Sequence, residues 1–150
     1  MANQKLINFL NQLLSNYFVM YVKLHRYHWF IQGAHFFQLH KLFEDMYITV
    51  AKDIDALAER ILMIDGKPLA TMTKYLKETT LEEASADDKE DEIMAKLIED
   101  YSQIINEIKK EGIRYASDQE DEPTIDLLVS FQGKLEKYIW MLNAYRAYEQ

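Results

Sequence analysis

The chain has 150 residues, 49% of them hydrophobic, and a formal net charge of -8. That length suits a single domain over residues 1–150 with a sizeable core, and four Gly and two Pro are few for a sheet protein with many turns. The absence of Cys excludes disulfides and thiolate metal sites, and a net acidic chain is a poor general binder of nucleic acid, whose nonspecific affinity comes from neutralised phosphates.

The acid is unevenly spread. From Glu78 to Asp126 there are seventeen Asp and Glu against five Lys and Arg, a net of -12 that leaves +4 elsewhere. The first twenty residues hold one Lys and no Arg, so no basic arm compensates. Acidic surfaces attract cations, metal ions among them, although solubility alone is reason enough for such a charge. No basic region precedes an apolar run at the N-terminus, and no apolar stretch approaches the roughly 18 residues of a membrane span. A soluble, cytoplasmic protein is expected.

Helical periodicity dominates the chain. Leu6, Leu10, Leu13, Leu14, Tyr17, Phe18 and Tyr21 recur at spacings of three and four, which predicts a first helix over about residues 3–31. Gly33 breaks that pattern. Phe36, Leu39, Phe43, Tyr47, Val50, Ile54, Leu57 and Ile61 carry a second helix from about Phe36 to Met63, and "DGKP" at Asp65–Pro68 ends it with turn chemistry. A short helical piece is expected over "ATMTKYLK", then polar loop from Glu78 to Lys89. A third long helix runs from near Asp88 to about Ala116, and "SDQEDEP" (Ser117–Pro123) connects it to a fourth. Pro123 suits the first position of that fourth helix, which reaches about Tyr148. Four long helices and one short one, without a strand pattern, make an all-α four-helix bundle.

The four histidines, His25, His28, His35 and His40, are confined to the first 40 residues. On the second helix His40, Glu44, Asp55 and Glu59 fall near 0°, 40°, 60° and 100° at about 100° per residue, so they share one face. His with Glu, and Asp with Glu, each four apart, are two paired offerings to a metal. Glu44 and Asp55 are nevertheless about 16 Å apart along the axis, while metal–ligand bonds are about 2.0–2.2 Å. One helix cannot bring both pairs to one ion; two copies related by a two-fold axis, crossing antiparallel near Val50, can. His28 joins the set if the chain folds back at Gly33. Oxygen and imidazole donors without sulfur favour iron, manganese or zinc. Any one of these residues alone is an ordinary solvated side chain; the shared face is the signal. No Glu is followed three residues later by His, which argues against a di-iron site inside a single bundle and against a plain di-iron oxygenase.

At these residues the chain resembles the Dps family, the mini-ferritins, through "KLHRYHWF", "HFFQLHKLFED", "DIDALAERILMIDGKPLATMTKYL" and, near the C-terminus, "DEPTIDLLVSFQGKLEKYIWML". The resemblance covers nearly the whole chain, and its ligand spacing falls on His28, His40, Glu44, Asp55 and Glu59. It departs at Glu44, where the family commonly has Asp. The resemblance implies a ferritin-like four-helix bundle and a hollow homo-dodecamer. It also implies ferroxidase centres between two-fold partners, with His28, His40 and Glu44 from one subunit and Asp55 and Glu59 from the other. It further implies oxidation of Fe(II), with hydrogen peroxide preferred to oxygen, and storage of ferric mineral against oxidative damage. Many members bind DNA through a Lys-rich tail; this chain lacks one, so DNA binding is not expected of it. The alternative is a helical shell, scaffold or DNA-protecting assembly with little ferroxidase activity.

Other residues carry weaker readings. Trp29 follows His28 and matches an aromatic proposed in the family to quench radicals; filling an interface explains it equally well. Trp140 and most tyrosines are expected to pack, His25 to cap or lie on the surface, and His35, in the turn, is ambiguous between loop residue and support for the ligands. Glu122 and Asp126, at the start of the fourth helix, suit the helix dipole and by resemblance line an acidic pore for Fe(II).

Overall fold

The computed structural model describes residues 3–85 and 89–148. Helix α1 spans Gln4–Phe30 and α2 spans Phe36–Met63. On α1 the predicted stripe of Leu6, Leu10, Leu13, Leu14 and Tyr17 is buried; on α2 Leu39, Phe43, Val50, Leu57 and Ile61 are. Each such side chain removed from water is worth about 1.5–3 kcal/mol, and these stripes hold the antiparallel α1–α2 pair together. The α2 helix ends where Asp65 takes a φ of 67° and Gly66 N–H returns to Ile61 O at 2.8 Å.

A long crossover follows. It contains α3, Met72–Glu78, capped by Thr71, whose hydroxyl accepts the Lys74 N–H. Two polar residues buried on α1 hold the crossover down. Asn16 Oδ1 accepts from the Thr79 hydroxyl and the Thr80 N–H, and Lys23 Nζ donates to Glu82 O at 2.8 Å while pairing with Asp100. Asp88, where the third long helix was expected to begin, lies outside the described residues.

The third rod is α4, Glu90–Glu107, then a π-helical turn, Ile108–Gly112, then α5, Ile113–Asp118. The sequence gives a single helix here; the wide turn inserts one extra residue per cycle and places Gly112 against α1. A Cβ at Gly112 would meet the Phe9 ring at 2.5 Å, so only glycine allows this approach. The last helix, α6, is Glu122–Tyr148. It starts one residue before Pro123, because Asp121 caps it by accepting the Thr124 N–H at 3.1 Å.

Three contacts set the directions. Glu90, at the start of α4, touches the α1–α2 turn at His35, so α4 begins where α2 begins and the two run parallel. Arg60, near the end of α2, donates to Asp121 at the start of α6 at 2.8 Å, so α6 runs opposite to both. Arg146 near the end of α6 returns to Asp91 at 3.0 Å. Among the described residues there is no strand; a single parallel bridge joins Gln32 and Lys89. The expected all-α four-helix bundle is what forms.

The bundle interior carries charge. Asp53 of α2, 5% exposed, accepts from Lys134 of α6 at 2.8 Å, and Asp100 of α4 pairs with Lys23 of α1. Burial pushes both carboxyls up from their ordinary value, and the paired lysines partly offset it. Tyr101, buried beside this charge, has its hydroxyl raised far above the ordinary range, chiefly by burial.

Candidate metal centre

The turn over residues 31–35 brings the end of α1 beside the start of α2. There His28 and His40 stack with ring centroids 3.7 Å apart and planes 10° from parallel. His28 Nδ1 lies 2.6 Å from His40 O, and His40 Nδ1 lies 2.6 Å from His28 O. A carbonyl oxygen only accepts, so each Nδ1 carries the hydrogen and each Nε2 keeps its lone pair. Both imidazoles are thereby set in the tautomer that leaves Nε2 free to accept, the form a metal-binding histidine takes when a backbone carbonyl holds its other nitrogen.

Glu44, one turn after His40, reaches toward the same place. Its Oε1 lies 4.0 Å from His28 Nε2, and its side chain is 36% exposed against 9% for His28. Lys41 lies on the solvent side, 3.1 Å from Asp45 and 3.6 Å from Glu44. Its hydrogen bond to Asp45, with the Glu44 charge behind, pushes the ammonium up from its ordinary value. Within one chain, then, Glu44 approaches His28 and His40 stacks on His28. Asp55 and Glu59 do not join them; both are exposed, further along α2. Among the described residues no group of three or more His, Cys, Asp or Glu is placed to hold a metal ion within one chain.

The neighbouring aromatics differ from expectation in two places. His25 is neither cap nor free surface: it is half-buried within α1, its Nδ1 is 2.7 Å from Tyr21 O, and its ring stacks on Tyr47 at 3.7 Å. Tyr47 in turn meets His28 edge-on at 5.4 Å. Trp140 does not pack within the chain; it is 67% exposed on α6. Trp29 is also exposed, its ring 5.5 Å from His25. His35 is the N-cap residue of α2 and is bound to Glu90, a partner 55 residues away that sequence spacing does not reveal.

At the other end of α2, Glu122 and Asp126 are exposed on the first turns of α6. Below them Arg60 Nε donates to Thr124 Oγ1 at 2.9 Å, and the Thr124 hydroxyl donates to Asp121 Oδ2 at 2.6 Å. Burial alone would raise Asp121, but the Thr124 hydroxyl and N–H and the Arg60 guanidinium outweigh it and hold the carboxyl below its ordinary value.

Comparison with known proteins gives this geometry its context. Residues 7–148 match the ferritin-like domain family. The chain is 40% identical over 143 residues to DNA protection during starvation protein 2 of Bacillus anthracis, covering 95% of this chain and 97% of that one. Its fold is similar to the crystal structure of a Dps protein from Bacillus brevis, with a TM-score of 0.93 and 37% identity over 96% of each chain. It is similar as well to Dps of Vibrio cholerae O1, described as a member of a broad superfamily of ferritin-like diiron-carboxylate proteins, with a TM-score of 0.91 and 37% identity over 96% of this chain and 90% of that one. Fold, whole-length identity and family match agree, and the chain belongs to the Dps family of ferritin-like proteins.

Proposed function

We propose that this protein is a ferroxidase and iron store that takes Fe(II) at sites completed between two subunits. Hydrogen peroxide is its preferred oxidant, and ferric mineral collects inside a hollow dodecamer. The observation that carries the reading is the doubly bonded His28–His40 pair, which leaves both Nε2 lone pairs free, that of His28 4.0 Å from Glu44. Imidazole and carboxylate donors without sulfur suit iron, and zinc or manganese can take its place.

The set within one chain is half a site. Asp55 and Glu59 share the helix face of His40 and Glu44 but lie about 16 Å further along. An antiparallel second copy supplies them, giving two equivalent sites per dimer. The surface beside the half-site suits that role. Val22, Trp29, Met72 and Leu76 are exposed around an apolar groove of about 570 Å³ between α1 and α3, large for side chains left in water.

In this reading His28, His40 and Glu44 hold one Fe(II), and Asp55 and Glu59 of the second copy complete the site and bind a second. Each Fe(II) gives up one electron, so a pair reduces one hydrogen peroxide, with two protons, to two waters. Both ingredients of hydroxyl-radical chemistry are consumed together, and DNA is protected chemically. Glu122 and Asp126 serve as the entrance for Fe(II), and Trp29 is placed to quench a stray oxidising equivalent.

The test is subunit mixing. A Glu44→Ala chain and a Glu59→Ala chain are each expected to oxidise Fe(II) slowly. Their mixed dimers regain one intact site of two, and activity returns. Absence of recovery in verified mixed dimers overturns the shared site.

A further inference from the structure

Glu90 stands in the first turn of α4 but turns its carboxyl onto the α1–α2 turn. Oε1 accepts the backbone N–H of His35 at 2.6 Å, and Oε2 lies 3.1 Å from His35 Nδ1. The same carboxyl fills the space that Gly33 leaves: a Cβ there would lie 2.6 Å from Glu90 Cδ and Oε1, at a backbone φ of +146°. Lys89, the preceding residue, bridges to Gln32 in the same turn. The His35 side chain makes no capping hydrogen bond to the first turn of α2, and that turn holds no acid of its own, so the acid at that helix start comes from α4.

His28 and His40 flank this turn. Each imidazole is bonded to a carbonyl of the opposite helix, so both bonds exist in only one register of α1 against α2. The turn sets that register. We infer that Glu90 is a positioning residue for the His28–His40 pair: by clamping the turn through His35 it holds both Nδ1–H bonds and so keeps both Nε2 lone pairs free for a metal. This rests on the metal-binding reading above. A general acid at the start of α4 is not what Glu90 is needed for, because Asp91 and Glu92 already stand there.

Two substitutions in the intact assembly separate the roles. Glu90→Asp keeps the charge but stops one carbon short of His35; Glu90→Gln keeps the reach and an oxygen for the N–H. The readouts are hydrogen exchange at the imidazole carbons of His28 and His40, followed by mass spectrometry on metal-free protein, and the affinity for Co(II). In Glu90→Asp both imidazoles exchange faster and Co(II) affinity falls about tenfold, the usual size of a lost supporting contact; in Glu90→Gln both stay within about threefold of wild type. Gly33→Ala, which forces the Glu90 carboxyl aside, reproduces the Asp result and decides the matter should Glu90→Asp not assemble. A charge role gives the reverse order, with Gln the worse variant. That order, or unchanged exchange in Glu90→Asp and Gly33→Ala, overturns the inference. Co(II) binding that survives His28→Ala would instead sink the metal-centre reading, and the exchange rates would still judge the clamp.

Discussion

His28 and His40 are tied to each other twice, each ring giving its Nδ1–H to the other's backbone carbonyl at 2.6 Å. Replacing His40 by Phe keeps an aromatic ring on the stack but removes one Nε2 and one of the two bonds. We expect Zn(II) affinity to fall by at least about a hundredfold, since even lost supporting contacts cost 10–100-fold, and the Fe(II) oxidation rate to fall with it. Calorimetric titration with Zn(II) and stopped-flow oxidation check this. Wild-type affinity in the variant would show that Nε2 of His40 is not a ligand.

Asp126 and Glu122 are exposed at the start of α6, far along α2 from the histidines. If they form the entrance for Fe(II), Asp126→Asn slows the build-up of mineral several-fold and leaves the first, stoichiometric oxidation unchanged. Multiple additions of Fe(II), followed by ferric absorbance, separate the two phases. Equal loading in wild type and variant would remove the entrance role.

Lys23 and Asp100 form an ion pair that is almost fully buried. Lys23→Met leaves an unpaired interior carboxylate and strips Glu82 O of its donor, at a cost of about 3–5 kcal/mol. Adding Asp100→Leu removes the stranded charge and recovers most of that loss. Denaturant unfolding of both variants measures the difference, and equal stability of single and double variants would contradict it.

Asp121 has a folded pKa below its ordinary 3.8, so it binds its proton less readily folded than unfolded. Its contribution is therefore complete above that value and is lost as pH falls through the lower, folded one. Asp121→Asn lowers stability near neutral pH by about 1.5–3 kcal/mol, the range for a hydrogen bond to a charged group. Wild type and variant converge in acid, below the lowered folded-state range of this carboxyl. Thermal melts across that range test it; a constant gap down to the most acid point would rule it out.

Much of the bundle is readable from the chain, because α2 follows its apolar stripe from Phe36 to Met63 as the spacing predicts. The helix rise alone makes a single-chain site from His40, Glu44, Asp55 and Glu59 impossible. What stays hidden is of three kinds. The partners of the histidine rings are backbone carbonyls, which leave no mark in sequence. Glu90 reaches His35 across 55 residues, beyond any local pattern. The π turn at Ile108–Gly112 differs from α-helix by one residue, and only Gly112 hints at it. Polar residues within the buried stripes carry a further signal. Lys23 follows Asn16 and Met20, Asp53 follows Met46 and Val50, and Asp100 follows Ile93 and Leu97, each in step with a buried stripe. A polar residue in such a position marks an interior ion pair or hydrogen bond.

The Asp53–Lys134 contact bears on how the subunit folds. In bundles that carry metal among their helices, the cation neutralises the inward acids, and removing it loosens the fold. Here an ammonium on α6 is built into the chain and does that work permanently. On the proposed function, folding is thus uncoupled from cargo: the subunit is expected to reach its final shape without iron, and a chelator to strip it without unfolding it.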